Sequence, residues 1–162
     1  MRGERGFSLV ETMVVIGVIA VLVALAYGVY NSATARAQDR AVMLNLRNGL
    51  TSARVLSTED ATYTTLSPAV LAEAEPSLDW VAGTSPSTNP TEISVVAFAP
   101  TPGGPIVGAR LAAMSDAGDC YYISDDIGVA QTTYGIRVST ADGSCQADDT
   151  SNVDWNGWPG AN

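Results

Sequence analysis

Glu11 is the residue whose placement most demands chemistry. It stands at the edge of a run, Met13 to Val29, that is otherwise entirely apolar or glycine. An ionised carboxylate in such a setting is costly to dehydrate, and groups of that kind usually have a partner. Two cysteines, Cys120 and Cys145, offer a second piece of chemistry. If the part that carries them lies outside the cytoplasm, they form a natural disulfide pair, and closing the loop would contribute about 3–4 kcal/mol. A free-thiol or metal role for them would need further ligands nearby, and the sequence supplies none. The acidic pairs Asp125-Asp126 and Asp148-Asp149, with Asp142 and Asp154, raise calcium as an option. They lack EF-hand spacing, and solvated loop charge is the plainer account, so no metal and no cofactor is expected. Trp155 and Trp158 flank Asn156-Gly157 and offer a platform for sugars or adhesion; packing in core or loop is the commoner fate of such rings. With no histidine in the chain, a Ser-His triad is impossible. No catalytic constellation emerges, and the chain does not read as an enzyme.

The elements that must position these residues differ sharply along the chain. From Phe7 to Ser57 four arginines stand against Glu11 and Asp39, a net +2; from Thr58 onward two arginines stand against four glutamates and ten aspartates, a net −12. A domain that acidic repels phosphates and disfavours nucleic-acid binding by its surface. The apolar stretch from Met13 to Tyr30 is 18 residues, about 27 Å of helix, enough to cross a hydrocarbon core. Arg2 and Arg5 before it favour a cytoplasmic start, which places the acidic part outside. A secretory signal peptide is the competing reading, with Ala24-Leu25-Ala26 as its cleavage site. Against it, the chain beyond Tyr30 continues in helical style.

The helix is expected from about Ser8 to Ser57, since no proline occurs before Pro68. Past Tyr30 it becomes amphipathic: Ala35, Val42, Leu46, Leu50 and Ala53 share one face and should pack on the acidic domain. Arg36, Arg40, Arg47 and Arg54 also fall on one stripe, either a solvated face or a set of contacts to neighbouring subunits. Beyond it, Pro68 to Glu75 reads as a brief helix. Glu92–Ala99, Ile106–Ala113, Cys120–Ser124 and Thr133–Ser139 read as strands, with Thr101-Pro102-Gly103-Gly104-Pro105 as a turn between the first two. The expected class is α+β, a long helix followed by a small antiparallel sheet.

Gly6-Phe7-Ser8-Leu9-Val10-Glu11, after a short arginine-containing leader and before Thr12-Met13-Val14-Val15-Ile16, resembles the class III signal of type IV pilins and secretion pseudopilins. The resemblance is specific over about 25 residues. It implies cutting after Gly6 by a membrane prepilin peptidase, methylation of the new amine on Phe7, and pairing of Glu11 with the amine of a neighbouring subunit. Carboxylate and ammonium in a low-dielectric setting attract strongly only at one axial offset, so that pair would set register more than it adds net stability. The implied layout is a cytoplasmic leader at 1–6, a long helix at 7–57 with its transmembrane part at about 13–30, and an extracellular pilin-like domain at 58–162. The family's sheet lies across the outer half of the helix, often with a C-terminal disulfide loop, a place that Cys120 and Cys145 would fit. Implied partners are the peptidase, an assembly ATPase, a membrane platform, and copies of the chain or other pilins; the endpoint is a cell-surface filament. Many members have proline where this chain has Gly28, which removes the usual source of a kink. An anchored binding module that never polymerises, and a minor pilin or pseudopilin, remain as alternatives.

Overall fold

A computed structural model describes residues 8–58, 60–138 and 144–158. Helix α1 spans Leu9–Ser57 and α2 spans Pro68–Ala74. Five strands follow: β1 Asp79–Ala82, β2 Glu92–Phe98, β3 Gly108–Met114, β4 Cys120–Asp126 and β5 Gln131–Arg137. They form one sheet in the order β1-β2-β3-β4-β5. The chain divides into two compact units, Met1–Arg36 and Ala37–Asn162. The class is α+β, as the sequence implies.

In the second unit, Val42, Met43, Leu46, Gly49, Leu50, Ala53 and Ser57 of α1 are buried. This is the expected face, shifted by one feature: Ala35 belongs to the first unit and lies outside the core, while Gly49 takes a central place. A Cβ on Gly49 would stand 2.9 Å from the Trp80 ring and 3.1 Å from Leu111. Glycine therefore lets the helix backbone close on the sheet where a bulkier residue would hold it off. From the sheet, Ile93, Leu111, Tyr121, Ile123 and Ile136 join the same core. Alternation along each strand delivers them: Tyr121 and Ile123 face inward, while Tyr122 joins a second cluster with Cys120, Cys145 and Ala147.

Strands β2 to β5 pair antiparallel, as expected. The first pair does not. Strand β1, absent from the sequence expectation, runs parallel to β2 in the register Asp79↔Glu92 to Ala82↔Val95. Its four residues sit among Pro, Ser and Thr, and Asn45 on α1 donates to the Pro90 carbonyl at 2.9 Å in the loop that returns to β2. Helix α2 starts where its sequence says. Ser67 accepts from the Val70 N–H as the cap, and Pro68 occupies the first turn.

The last described segment runs over the sheet face opposite the core helix from Cys145 to Trp155, and Trp158 at its end joins the core. Cys145 is bonded to Cys120 of β4, and Ala147 N–H donates to Ser94 Oγ at 3.1 Å. Further on, Asp154 and Ile136 exchange backbone hydrogen bonds at 2.9 and 3.0 Å, so the tail pairs with part of edge strand β5. An edge covered in this way is less open to pairing with another chain.

Candidate functional site

The site implied by the sequence begins at residues outside the described range: Gly6 and Phe7 lie among residues 1–7. Glu11 occupies the first turn of α1, where a carboxylate complements the helix dipole. Around it the apolar side chains have no cover. Large hydrophobic residues from Leu9 to Tyr30 are between 47% and 76% exposed. α1 is the one helix among the described residues long and apolar enough to cross a membrane. Its hydroxyl residues near the polar end turn inward to the helix: Ser32 Oγ donates to the Val29 carbonyl at 3.0 Å, and Thr34 Oγ1 to Asn31 at 2.9 Å. Gly17 and Gly28 meet nothing among the described residues, for a Cβ at either would find open space there. So much uncovered apolar surface needs either lipid or other helices around it.

The arginine stripe does not behave as one unit. Arg54 donates through Nε to Asp125 Oδ2 at 3.2 Å and through a second nitrogen to Asp125 Oδ1, a bidentate pair. Asp125 is 1% exposed and also accepts from Tyr63 Oη at 2.6 Å and from Thr132 Oγ1 at 2.8 Å. Burial alone would raise the Asp125 carboxyl, but the hydrogen bonds from Arg54, Tyr63 and Thr132 outweigh it and hold the group below the usual carboxylate range. Burial and then Asp125 push the Tyr63 hydroxyl upward. Arg47 stacks over Trp158 and Tyr134, 5.2 and 5.8 Å from the ring centroids. These two arginines therefore tie α1 to its own sheet. Arg36 and Arg40 are exposed and carry no ion pair among the described residues.

The acidic pairs are engaged rather than gathered. Asp149 accepts from Arg137 at 2.9 Å and from Ser151; hydrogen bonds from Ser151 and then Arg137 hold its carboxyl at about 2. Asp126 and Asp154 each accept a backbone N–H two residues on, from Gly128 and Asn156. Among the described residues no three metal-ligating side chains converge, and Asp142 lies outside them. The tryptophans part company. Trp158 is 4% exposed and its Nε1 donates to the carbonyls of Tyr122 and Gly135 at 3.0 Å. Trp155 stays half-buried on the opposite sheet face, 6.1 Å from the Tyr122 ring.

Asp125, expected as solvated loop charge, instead lies buried near the end of β4, where it forms a polar anchor with Tyr63 and Thr132, residues the sequence does not mark as candidates. Its sign was present: Asp125 continues the inward alternation of Tyr121 and Ile123, so a carboxylate at that position had to find a cation.

Comparison with curated proteins and with solved structures gave no match. One family model did match, at the end where Glu11 stands, and with the apolar helix it supports a membrane-anchored precursor of type IV pilin-like or pseudopilin kind. Over residues 1–27 the chain carries the prokaryotic N-terminal methylation motif, the class III prepilin-type signal of type IV pilins and pseudopilins.

Proposed function

We propose that the chain is a structural subunit of a type IV pilus-like extracellular filament, made as a membrane precursor that is cut after Gly6 and methylated on the Phe7 amine. The observation that carries this is the motif at residues 1–27 running directly into a helix whose apolar side chains, Leu9 to Tyr30, have no cover among the described residues. The parts then divide the work. Residues 1–6 are the cytoplasmic leader. The long-helix segment, 7–57, is held in the bilayer at about 13–30 until assembly. Residues 58–162 form the outer domain, whose acidic surface keeps neighbouring subunits soluble before they join.

Assembly moves the apolar helices from lipid into a filament core. The Glu11 carboxylate would meet the Phe7 amine of a neighbour and so select one axial offset, since any other leaves both charges unpaired in an apolar setting. Arg36 and Arg40 are then the arginines available to meet a neighbour, Arg47 and Arg54 being occupied within the subunit. Moving a subunit out of the membrane needs outside work, so a prepilin peptidase, an assembly ATPase and a membrane platform are the implied partners. A minor pilin or a secretion pseudopilin shares every one of these steps.

Co-expression with a prepilin peptidase tests the first step. Intact mass should fall by the six-residue leader and rise by one methyl group, and a Gly6→Leu variant should keep its full mass. A chain that stays uncut beside an active peptidase, or is cut near Ala26, would overturn the reading.

A further inference from the structure

The sheet face opposite the core helix carries a cleft of about 280 Å³. Strand register builds it. Phe98, Gly108, Asp126 and Gln131 form one cross-strand row, and Arg110, Ser124 and Thr133 form the next. Gly108 leaves room in the first row, and the Phe98 ring lies over it: a Cβ there would stand 2.6 Å from the ring. Arg110 stacks 4.5 Å from the Phe98 centroid and 5.9 Å from that of Trp155. Trp155 forms the opposite wall, seated against Gly135, whose Cβ would come within 2.9 Å of the indole. The paired backbone of Asp154 and Ile136 holds that wall in place.

The polar groups of this cleft have unspent capacity. Arg110 Nε is buried without a hydrogen bond among the described residues, and Nη1 reaches the Ala147 carbonyl at only 3.3 Å. Asp126 uses one oxygen on Gly128 N–H, and its other oxygen has no hydrogen bond among the described residues. The Gln131 side chain, exposed at the rim, makes none among them either. Two donors, Arg110 and Gln131, and one acceptor, Asp126, thus line a cleft that also carries the Phe98 and Trp155 rings.

We propose that this cleft binds a neutral pyranose unit of a polysaccharide. A sugar ring offers an apolar C–H face for the electron-rich face of Trp155 and a rim of hydroxyls that both donate and accept. Asp126 takes hydroxyl protons, while Arg110 and Gln131 donate to hydroxyl oxygens. The volume, near the lower end for ligand pockets, suits one ring. Charge selects against acidic sugars: Asp126 and the acidic surface of the domain repel a carboxylate or a sulfate. Nothing in this depends on cleavage at Gly6 or on polymerisation.

The test uses the full-length chain in a detergent without a sugar headgroup, titrated with methyl glycosides of glucose, galactose, mannose and N-acetylglucosamine. Glucuronate serves as the charged counterpart, and tryptophan fluorescence and calorimetry as readouts. At least one neutral glycoside should bind saturably in the millimolar range, and glucuronate more weakly. Trp155→Ala should abolish binding, and Gln131→Ala should weaken it by about tenfold, one hydrogen bond's worth. Because Gln131 is exposed, its variant keeps the test valid even if Trp155→Ala fails to fold. Absence of saturable binding by all four neutral glycosides, tighter binding of glucuronate, or unchanged binding by Gln131→Ala would overturn the proposal.

Discussion

At the scale of single residues, the Arg54–Asp125 pair shows how a buried charge fixes one arrangement of helix on sheet. Asp125 is enclosed, whereas the Arg54 side chain is 49% exposed, so losing one partner does not mirror losing the other. Arg54→Ala leaves a buried carboxylate with only Tyr63 and Thr132, and should cost about 3 kcal/mol at pH 7. Asp125→Asn lets Arg54 return to water and should cost less, about 2 kcal/mol. The pH dependence follows from the depressed carboxyl of Asp125. A group whose folded pKa lies below its unfolded one adds stability above the unfolded value, and that stability fades as pH falls through the folded value. Asp149, held at about 2, acts in the same sense. Thermal melts from pH 6 down to pH 2 should show the wild type losing stability through the acid range, with the gap to Arg54→Ala closing as Asp125 protonates. A gap that stays constant with pH would show that Arg54 contributes packing rather than charge.

At the scale of elements, the disulfide and Gly49 govern how the parts of the second unit close. Cys120 and Cys145 are 25 residues apart and join a central strand to the tail that crosses it. Replacing both by serine should lower stability by about 3–4 kcal/mol, read as a drop in the denaturation midpoint. Gly49→Leu should cost about 3 kcal/mol or more by driving Trp80 and Leu111 away, despite leucine's better helix propensity. Most of these elements were legible in the chain. Val42, Leu46, Leu50 and Ala53 mark the inward face of α1 by spacing alone. The β-branched and aromatic runs around Ile93, Leu111, Tyr121 and Ile136 mark four strands. Strand β1 was not legible, because Asp79-Trp80-Val81-Ala82 is short and its parallel pairing to β2 depends on a loop that α1 itself holds. Nor was the division of the arginines. Periodicity puts four on one stripe, but which of them are consumed at home depends on where Asp125 and Trp158 arrive from strands far along the chain.

At the scale of the whole molecule, the two units pose opposite solvent problems. The first exposes nearly continuous apolar side chains from Leu9 to Tyr30; the second carries the disulfide-closed, acidic sheet. A chain with both is stable only where a bilayer or a bundle of like helices meets the first and water meets the second. Glu11 is the one charged residue in the apolar stretch of the first unit, in the first turn of α1. Glu11→Ala should leave processing and membrane retention unchanged, while reducing entry into sheared surface filaments by at least about tenfold, as expected for loss of a buried charge pairing. Full incorporation of that variant would remove Glu11 from any register role. Cleavage after Gly6 and polymerisation are tested together by the N-terminal sequence and intact mass of the protein sheared from the surface of its native host, set beside the membrane fraction. The sheared chain should begin with methylated Phe7. A chain that keeps Met1 and is found only in membranes would contradict both.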